Sequence, residues 1–138
     1  MQQKQSITQS LIVLIVGSFL IQKYLYPSLF DQFVLFGPAV RNGEYWRLFT
    51  VALLHANWMH LIFNMLALWS IGMPVEQIFG RGRYIVLFVG SLLTASIASA
   101  YFGPRALAVG ASGAIFGLFG ALLAIGRRAG ANYQNIAG

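Results

Sequence analysis

Two short polar groupings in an otherwise apolar chain hold the residue types that could do chemistry. His60 and Asn64 are four residues apart, so on a helix both side chains lie on one face, one turn apart. Ser112 lies within the run Gly110–Gly113 (GASG), where flanking glycines let the backbone approach a reacting carbonyl. If a helix begins there, its free amide N–H groups and its dipole stabilise an oxyanion beside the serine. These residues suit acyl transfer by a serine nucleophile.

Both groupings also have a packing interpretation. Polar pairs such as His60 and Asn64 often hydrogen-bond neighbouring helices in membrane bundles, and serine is a common N-cap. Gly113, Gly117 and Gly120 form a stripe of small residues that allows close helix packing. The spacing alone supports a functional role and a packing role about equally for His60 and Asn64. For Ser112, the local sequence alone favours a packing role.

The composition indicates a chain that lies in lipid. Of its 138 residues, 58% are hydrophobic and 9% are charged, against roughly 25% charged residues in a soluble domain. The nine Lys and Arg are scattered singly or in pairs, so no basic stripe follows a phosphate backbone and no nucleic-acid partner is expected. The chain has no cysteine, which excludes disulfides and thiolate zinc sites. His55 and His60 are five residues apart, off one helix face, so we expect no metal site and no cofactor.

Four apolar segments come near the length of about 20 residues that a helix needs to cross a bilayer. They run over about 7–26, 58–79, 84–102 and 112–126. A signal peptide is the alternative for the first segment, but no small-residue cleavage site follows it, so we expect it to be retained. The predicted fold is an all-α membrane protein, a polytopic transmembrane helix bundle.

The connection over about 27–57 is rich in large apolar side chains but has no run long enough to span a bilayer. Gly37, Pro38 and Gly43 break it into short pieces. It is predicted to lie in the outer interface of the bilayer, with its aromatic side chains and Arg47 anchored at headgroup depth. The alternative is a folded outer loop without lipid contact.

Basic residues in the short turns indicate the orientation of the bundle. Arg81 and Arg83 lie between the second and third segments, and Arg127 and Arg128 end the fourth, against a lone Arg105 between the third and fourth. Because cytoplasmic turns carry the excess of Lys and Arg, the N-terminus is predicted to be cytoplasmic. The expected location is a bacterial plasma membrane, which the chain crosses several times.

An ordered set of motifs over about 43–126 resembles the rhomboid family of intramembrane serine proteases. The set comprises Trp46-Arg47, the series His55, His60 and Asn64 in HANWMHLIFN, Glu76 and Gly80 in VEQIFG, and GASG from Gly110 to Gly113. The resemblance implies a rhomboid-like core of six helices, of which residues 1–138 would supply four.

The resemblance also implies a role for each matched residue. Ser112 would be the nucleophile, and its backbone amide would form the oxyanion hole with the side chains of His60 and Asn64. His55 matches a position that braces the outer loop, while Trp46 and Arg47 match a structural signature of that loop. Glu76 matches a position that closes the cytoplasmic side. The glycines that flank the serine, Gly110 and Gly113, complete the motif.

One feature of the family pattern is missing from these residues. In rhomboids the general base is a second histidine on the sixth span, which forms a Ser-His dyad, whereas the only histidines here are His55 and His60. We therefore interpret the chain as a partial rhomboid domain that is inactive without that base. His60 matches the oxyanion donor, so it is not expected to act as the base.

The function expected from the resemblance is that of an intramembrane serine endopeptidase. Its partners would be the lipid bilayer and membrane proteins whose transmembrane segments it cuts near their outer ends. A non-catalytic relative that binds membrane clients is the alternative, although such relatives have usually lost the GASG, His60 and Asn64 that this chain retains. A transporter or channel fragment is a weaker alternative because the segments lack paired charges.

Overall fold

Four long apolar helices dominate the computed structural model of the chain, which describes residues 4–103 and 107–137. The helices long and apolar enough to cross a membrane are Ile7–Leu25, Trp58–Phe79, Arg81–Phe102 and Ser112–Asn132. The predicted all-α polytopic bundle is therefore confirmed. Arg105, which entered the prediction of orientation, lies outside the described residues.

The first two of these helices each contain a wide π-helical turn. Helix α1 (Ile7–Leu20) continues into the π-helical turn Ile21–Leu25. The second crossing consists of α5 (Trp58–Ala67), the π-helical turn Leu68–Gly72 and α6 (Met73–Phe79), which contains Pro74. Proline has no N–H to donate and its ring crowds the carbonyl four residues earlier, which accounts for a widened turn before it.

The third and fourth helices extend further than the apolar segments in the sequence. Helix α7 begins at Arg81, three residues before the expected start, and α8 runs from Ser112 to Ala137, past the expected end at 126. Arginines interrupt the apolar run at both predicted ends, Arg83 before position 84 and Arg127 after position 126. Backbone hydrogen bonds do not require apolar side chains, so both helices continue through their arginines.

The connection between the first two crossings is folded. It contains α2 (Leu29–Phe33), β1 (Leu35–Phe36), α3 (Gly37–Arg41), α4 (Arg47–Thr50) and a 3₁₀ turn (Val51–Leu53). Strand β1 pairs antiparallel with β2 (Leu107–Ala108), in the register Leu35 to Ala108 and Phe36 to Leu107. This outer-loop cluster thus reaches the segment that leads into α8. Its depth in a bilayer stays a prediction.

Helix α7 buries one face against the rest of the bundle. Its buried residues recur every fourth position, which places them in one stripe: Tyr84, Phe88, Leu92, Ser96 and Ala100. Helix α8 crosses this helix closely, since a Cβ atom at Gly113 would meet Ala95 and one at Gly117 would overlap Ser91. Gly120 has open space beside it. Of the three glycines in the expected packing stripe, Gly113 and Gly117 therefore pack against α7 and Gly120 does not.

Candidate active site

The polar pair His60 and Asn64 lies in the first two turns of α5. Asn57 is the N-cap of this helix, and its side-chain oxygen accepts a hydrogen bond from the His60 amide at 2.9 Å. The Asn64 amide nitrogen donates to the carbonyl of His60 at 2.9 Å. Asn64 is buried and His60 is half-buried. Capping thus places both side chains at the outer-loop end of the second crossing.

Gly110 joins this pair to the serine motif. A Cβ atom on Gly110 would be 2.8 Å from Cε1 of His60 and 3.7 Å from Nδ2 of Asn64, so only glycine fits here. Gly110 also has φ of +108°, a conformation that side-chain-bearing residues rarely adopt. Its N–H donates to the carbonyl of Val51 at 2.9 Å. The outer-loop cluster therefore holds the GASG backbone against the His60–Asn64 face.

Ser112 is the first residue of α8 and is partly exposed. The first amides of a helix have no intrahelical acceptor, so they are free to bind a developing negative charge beside the serine. Ser112 and Asn64 line one open cleft of about 330 Å³ between the second and fourth crossings, with the apolar side chains Phe63, Ile115 and Phe116. Within the residues described, the Ser112 hydroxyl makes no hydrogen bond.

A second cavity reaches Ser112 from the side of α7. It measures about 220 Å³ and includes Ser96, Ser99 and Gly110 in its lining. Its hydroxyl groups make it more polar than the cleft on the α5 side, so it can hold water near the serine. Hydrolysis needs such water as its second substrate.

His55 lies just before α5 and is fully buried. Its ring is 5.0 Å from the His60 ring between centroids, and neither of its ring nitrogens has a hydrogen-bond partner in the described structure. Burial, followed by the charge of His60, lowers the pKa of His55 from 6.5 to about 4. Gln22 of the first crossing exchanges two long hydrogen bonds, each of 3.4 Å, with the His55 backbone. His55 thus lies where the outer loop meets the first crossing.

Arg47 is buried inside the outer-loop cluster, which differs from the headgroup anchor expected from the sequence. Its guanidinium donates to the carbonyls of Asp31 and Val34, each at 2.8 Å, and pairs with the Glu44 carboxylate. A buried cation needs such partners, and the end of α2 supplies them. The Trp46 indole N–H donates to another carbonyl of the cluster at 3.1 Å. Arg47 therefore stabilises the loop from within, and Trp46 does so from its exposed surface.

Glu76 lies at the opposite end of the bundle from Ser112. Its carboxylate accepts hydrogen bonds from the backbone N–H groups of Ile7 and Thr8 and from the hydroxyls of Ser6 and Thr8, at 2.8 to 2.9 Å. A carboxylate at a helix N-terminus satisfies free amides and complements the dipole. Glu76 therefore ties the second crossing to the start of the first.

The structure thus separates the sequence-predicted residues into three places. His60, Asn64, Gly110 and Ser112 come together, with His55 beside them, while Gly113 packs α8 onto α7. Trp46 and Arg47 lie in the outer-loop cluster, and Glu76 lies at the far end. Within residues 4–103 and 107–137, no three His, Cys, Asp or Glu side chains group as metal ligands.

Sequence reasoning missed two groups, one beside this site and one at the opposite end of the bundle. Gln22 is one, and the only sign of its role in the sequence is that it is a polar residue near the end of an apolar segment. The other is the contact of Thr8 with Tyr84, whose hydroxyls lie 2.8 Å apart against Gly72. No local pattern connects three residues on three different crossings.

A membrane bundle of four apolar helices with a serine at the N-terminus of the fourth is the class of protein that this geometry defines. The Rhomboid domain family matches residues 42–138, so the chain belongs to the rhomboid family. "Rhomboid protease GluP" of Bacillus subtilis (strain 168) is 51% identical over 84 residues, which are 61% of this chain and 16% of that protein.

Two further relatives show the same likeness. "Putative rhomboid protease YdcA" of Bacillus subtilis (strain 168) is 42% identical over 94 residues, 67% of this chain and 47% of that protein. "RHOMBOID-like protein 1" of Arabidopsis thaliana is 46% identical over 84 residues, 61% of this chain and 22% of that protein. The chain spans less than half the length of these curated relatives.

Proposed function

We propose that this chain is the nucleophile-bearing part of an intramembrane serine endopeptidase that cuts transmembrane segments of membrane proteins. The observation that supports the proposal is the close fit of Gly110, the first residue of the serine motif, against the side chains of His60 and Asn64. Ser112 opens onto the same cleft as Asn64. The names of the relatives as proteases support this function.

The donors of the site are suited to an oxyanion. The amide of Ser112 and the side chains of His60 and Asn64 would bind the negatively charged oxygen of a tetrahedral intermediate. Asn64 keeps its amide nitrogen fixed through the carbonyl of His60. Donors held in place before the reaction need no reorganisation when charge develops.

The general base would be a histidine that these 138 residues do not include, as the resemblance to rhomboids implies. His55 is a poor base because its pKa is lowered to about 4 and its ring is buried behind His60. His60 itself lies against Gly110, and its proposed role there is that of an oxyanion donor. A serine nucleophile requires an adjacent base at neutral pH.

The proposed orientation has the N-terminus in the cytoplasm of a bacterial cell. Arg81 donates to the carbonyl of Gln5 at 2.9 Å, so the turn after the second crossing lies at the same end of the bundle as the chain start. The site then faces the outer side. A single cysteine at Asn42 should react with an impermeant thiol reagent added outside, and one at Gly82 should not; the reverse pattern would refute this orientation.

The function is tested by cleavage of a single-span substrate in proteoliposomes that contain the full-length protein carrying this chain. Cleavage should occur and should disappear in Ser112→Ala. Equal cleavage by Ser112→Ala would overturn the proposal. Stable binding of the substrate without any cleavage would instead support the non-catalytic alternative.

A further inference from the structure

Arg41 ends α3 in the outer-loop cluster and reaches the last turns of α7. Its Nη1 atom donates to the carbonyl of Ala100 at 2.6 Å in a partly buried contact. Gly37, at the start of the same short helix, packs so closely on this carbonyl that a Cβ atom there would overlap it. Helix α3 therefore rests directly on the end of the third crossing.

The Ala100 carbonyl needs an outside donor because of the sequence that follows it. In an α-helix its partner would be the N–H four residues later, and position 104 is proline, which has none. Ala100 is buried, so water does not easily replace that donor. A guanidinium at a helix C-terminus also complements the helix dipole. The Arg41 guanidinium thus supplies the hydrogen-bond donor that the proline at position 104 cannot supply to the Ala100 carbonyl.

The same cluster holds the other end of the connection between α7 and Ser112. Strand β1, which directly precedes α3, pairs with Leu107–Ala108, and the carbonyl of Val51 accepts from the N–H of Gly110. The connection is therefore held at Ala100 by Arg41 and near Gly110 by the backbone of the outer loop. Both attachments, together with the packing of Gly113 on Ala95, contribute to the position of the serine motif relative to α7.

We propose that Arg41 is a positioning residue for Ser112: by tying α3 to the end of α7, it fixes the outer-loop cluster that holds Gly110 against His60. Arg41 precedes residues 42–138, the part of the chain that the rhomboid family matches. The proposal rests on the proposed proteolytic function. It concerns placement of the nucleophile and not contact with the substrate.

The test compares three variants of the full-length protein. Arg41→Ala should lower kcat by between about tenfold and about 100-fold with KM within about twofold, because a displacement of about 1 Å has effects of this size on a catalytic group. Arg41→Lys keeps a donor and a charge and should recover most of kcat. Arg81→Ala is the matched control, since it removes a bond from an arginine to a carbonyl at the other end of the bundle, and should leave kcat unchanged.

Hydrogen exchange gives a readout that does not depend on activity. In Arg41→Ala, but not in Arg81→Ala, the amide of Gly110 should exchange faster, because its acceptor on Val51 is no longer held in place. Unchanged exchange at Gly110, or a loss of kcat equal in both alanine variants, would overturn the proposal. If the unmodified protein shows no turnover that depends on Ser112, the proposed function fails, and the exchange measurement still decides the role of Arg41.

Discussion

Gly110 lies directly against the imidazole of His60, with space for a hydrogen atom but not for a methyl group: a Cβ at this position would be 2.8 Å from Cε1 and 2.9 Å from Nε2. This contact joins two motifs that are separated by the whole of α7. It explains why the serine motif begins with glycine, since the positive φ and the close approach impose the same residue type. The relation between these two residues sets the shape of the proposed oxyanion hole.

Gly110→Ala should therefore abolish most turnover in the full-length protein, because the added methyl group displaces His60 or the Ser112 backbone. Gly120→Ala is the matched control, since a Cβ there meets no atom within 4 Å and alanine favours a helix. The measurement is the cleavage rate of a transmembrane substrate together with the unfolding midpoint. A Gly110→Ala variant with the control's activity would contradict the contact.

Asn64→Ala should lower kcat by about 10² to 10³, the usual cost of one oxyanion donor. Its side chain donates within its own helix, to His60, so its loss should leave the fold nearly intact. The check is kcat beside an unfolding curve. Full activity would refute the role of Asn64, and loss of activity that merely follows unfolding would favour a packing role.

Glu76→Gln should reduce the free energy of unfolding by about 1.5–3 kcal/mol, the size expected for hydrogen bonds to a charged group. The amide side chain turns one acceptor into a donor that faces the N–H and hydroxyl groups of Ser6, Ile7 and Thr8. Denaturant unfolding in detergent micelles measures the change. Gln77→Ala, on the exposed face of the same helix, should be nearly neutral; equal stability of the two variants would show that the Glu76 contacts contribute nothing.

His55 should make the stability of the protein depend on pH. The buried ring has a pKa of about 4 against an ordinary value of 6.5, so the unfolded chain binds the extra proton between these values. Stability is then fully present above about pH 6.5 and falls as the pH is lowered toward 4. The loss is on the order of 2 kcal/mol after allowance for solvent screening.

Unfolding curves between pH 7 and pH 4 test this expectation, with His55→Gln as the comparison because glutamine does not titrate. The variant should lose much of the slope that the unmodified protein shows between pH 6.5 and pH 4. An identical slope in both proteins would place the titrating group elsewhere.

The sequence predicts those features of the structure that follow from a local pattern of residues. Hydropathy over some 20 residues predicts the four crossings, and helical spacing places His60 and Asn64 on one face, where the structure brings both to Gly110. The contacts of Arg47 could not be predicted in this way, because its acceptors at Asp31 and Val34 come together only when the outer loop folds. Strands β1 and β2 have two residues each, so they are too short to be predicted from an alternation of polar and apolar residues.

The central claim, that Ser112 is a nucleophile served by a base outside these residues, is tested most directly with a serine-directed fluorophosphonate probe. The probe should modify Ser112 in the full-length protein, should fail to do so in Ser112→Ala, and should fail with residues 1–138 alone, since a serine hydroxyl without its base has only residual reactivity. Mass spectrometry of the peptide that contains GASG reports the adduct. Labelling of Ser112 in residues 1–138 alone would contradict the account, because His55 or His60 would then have to be the base.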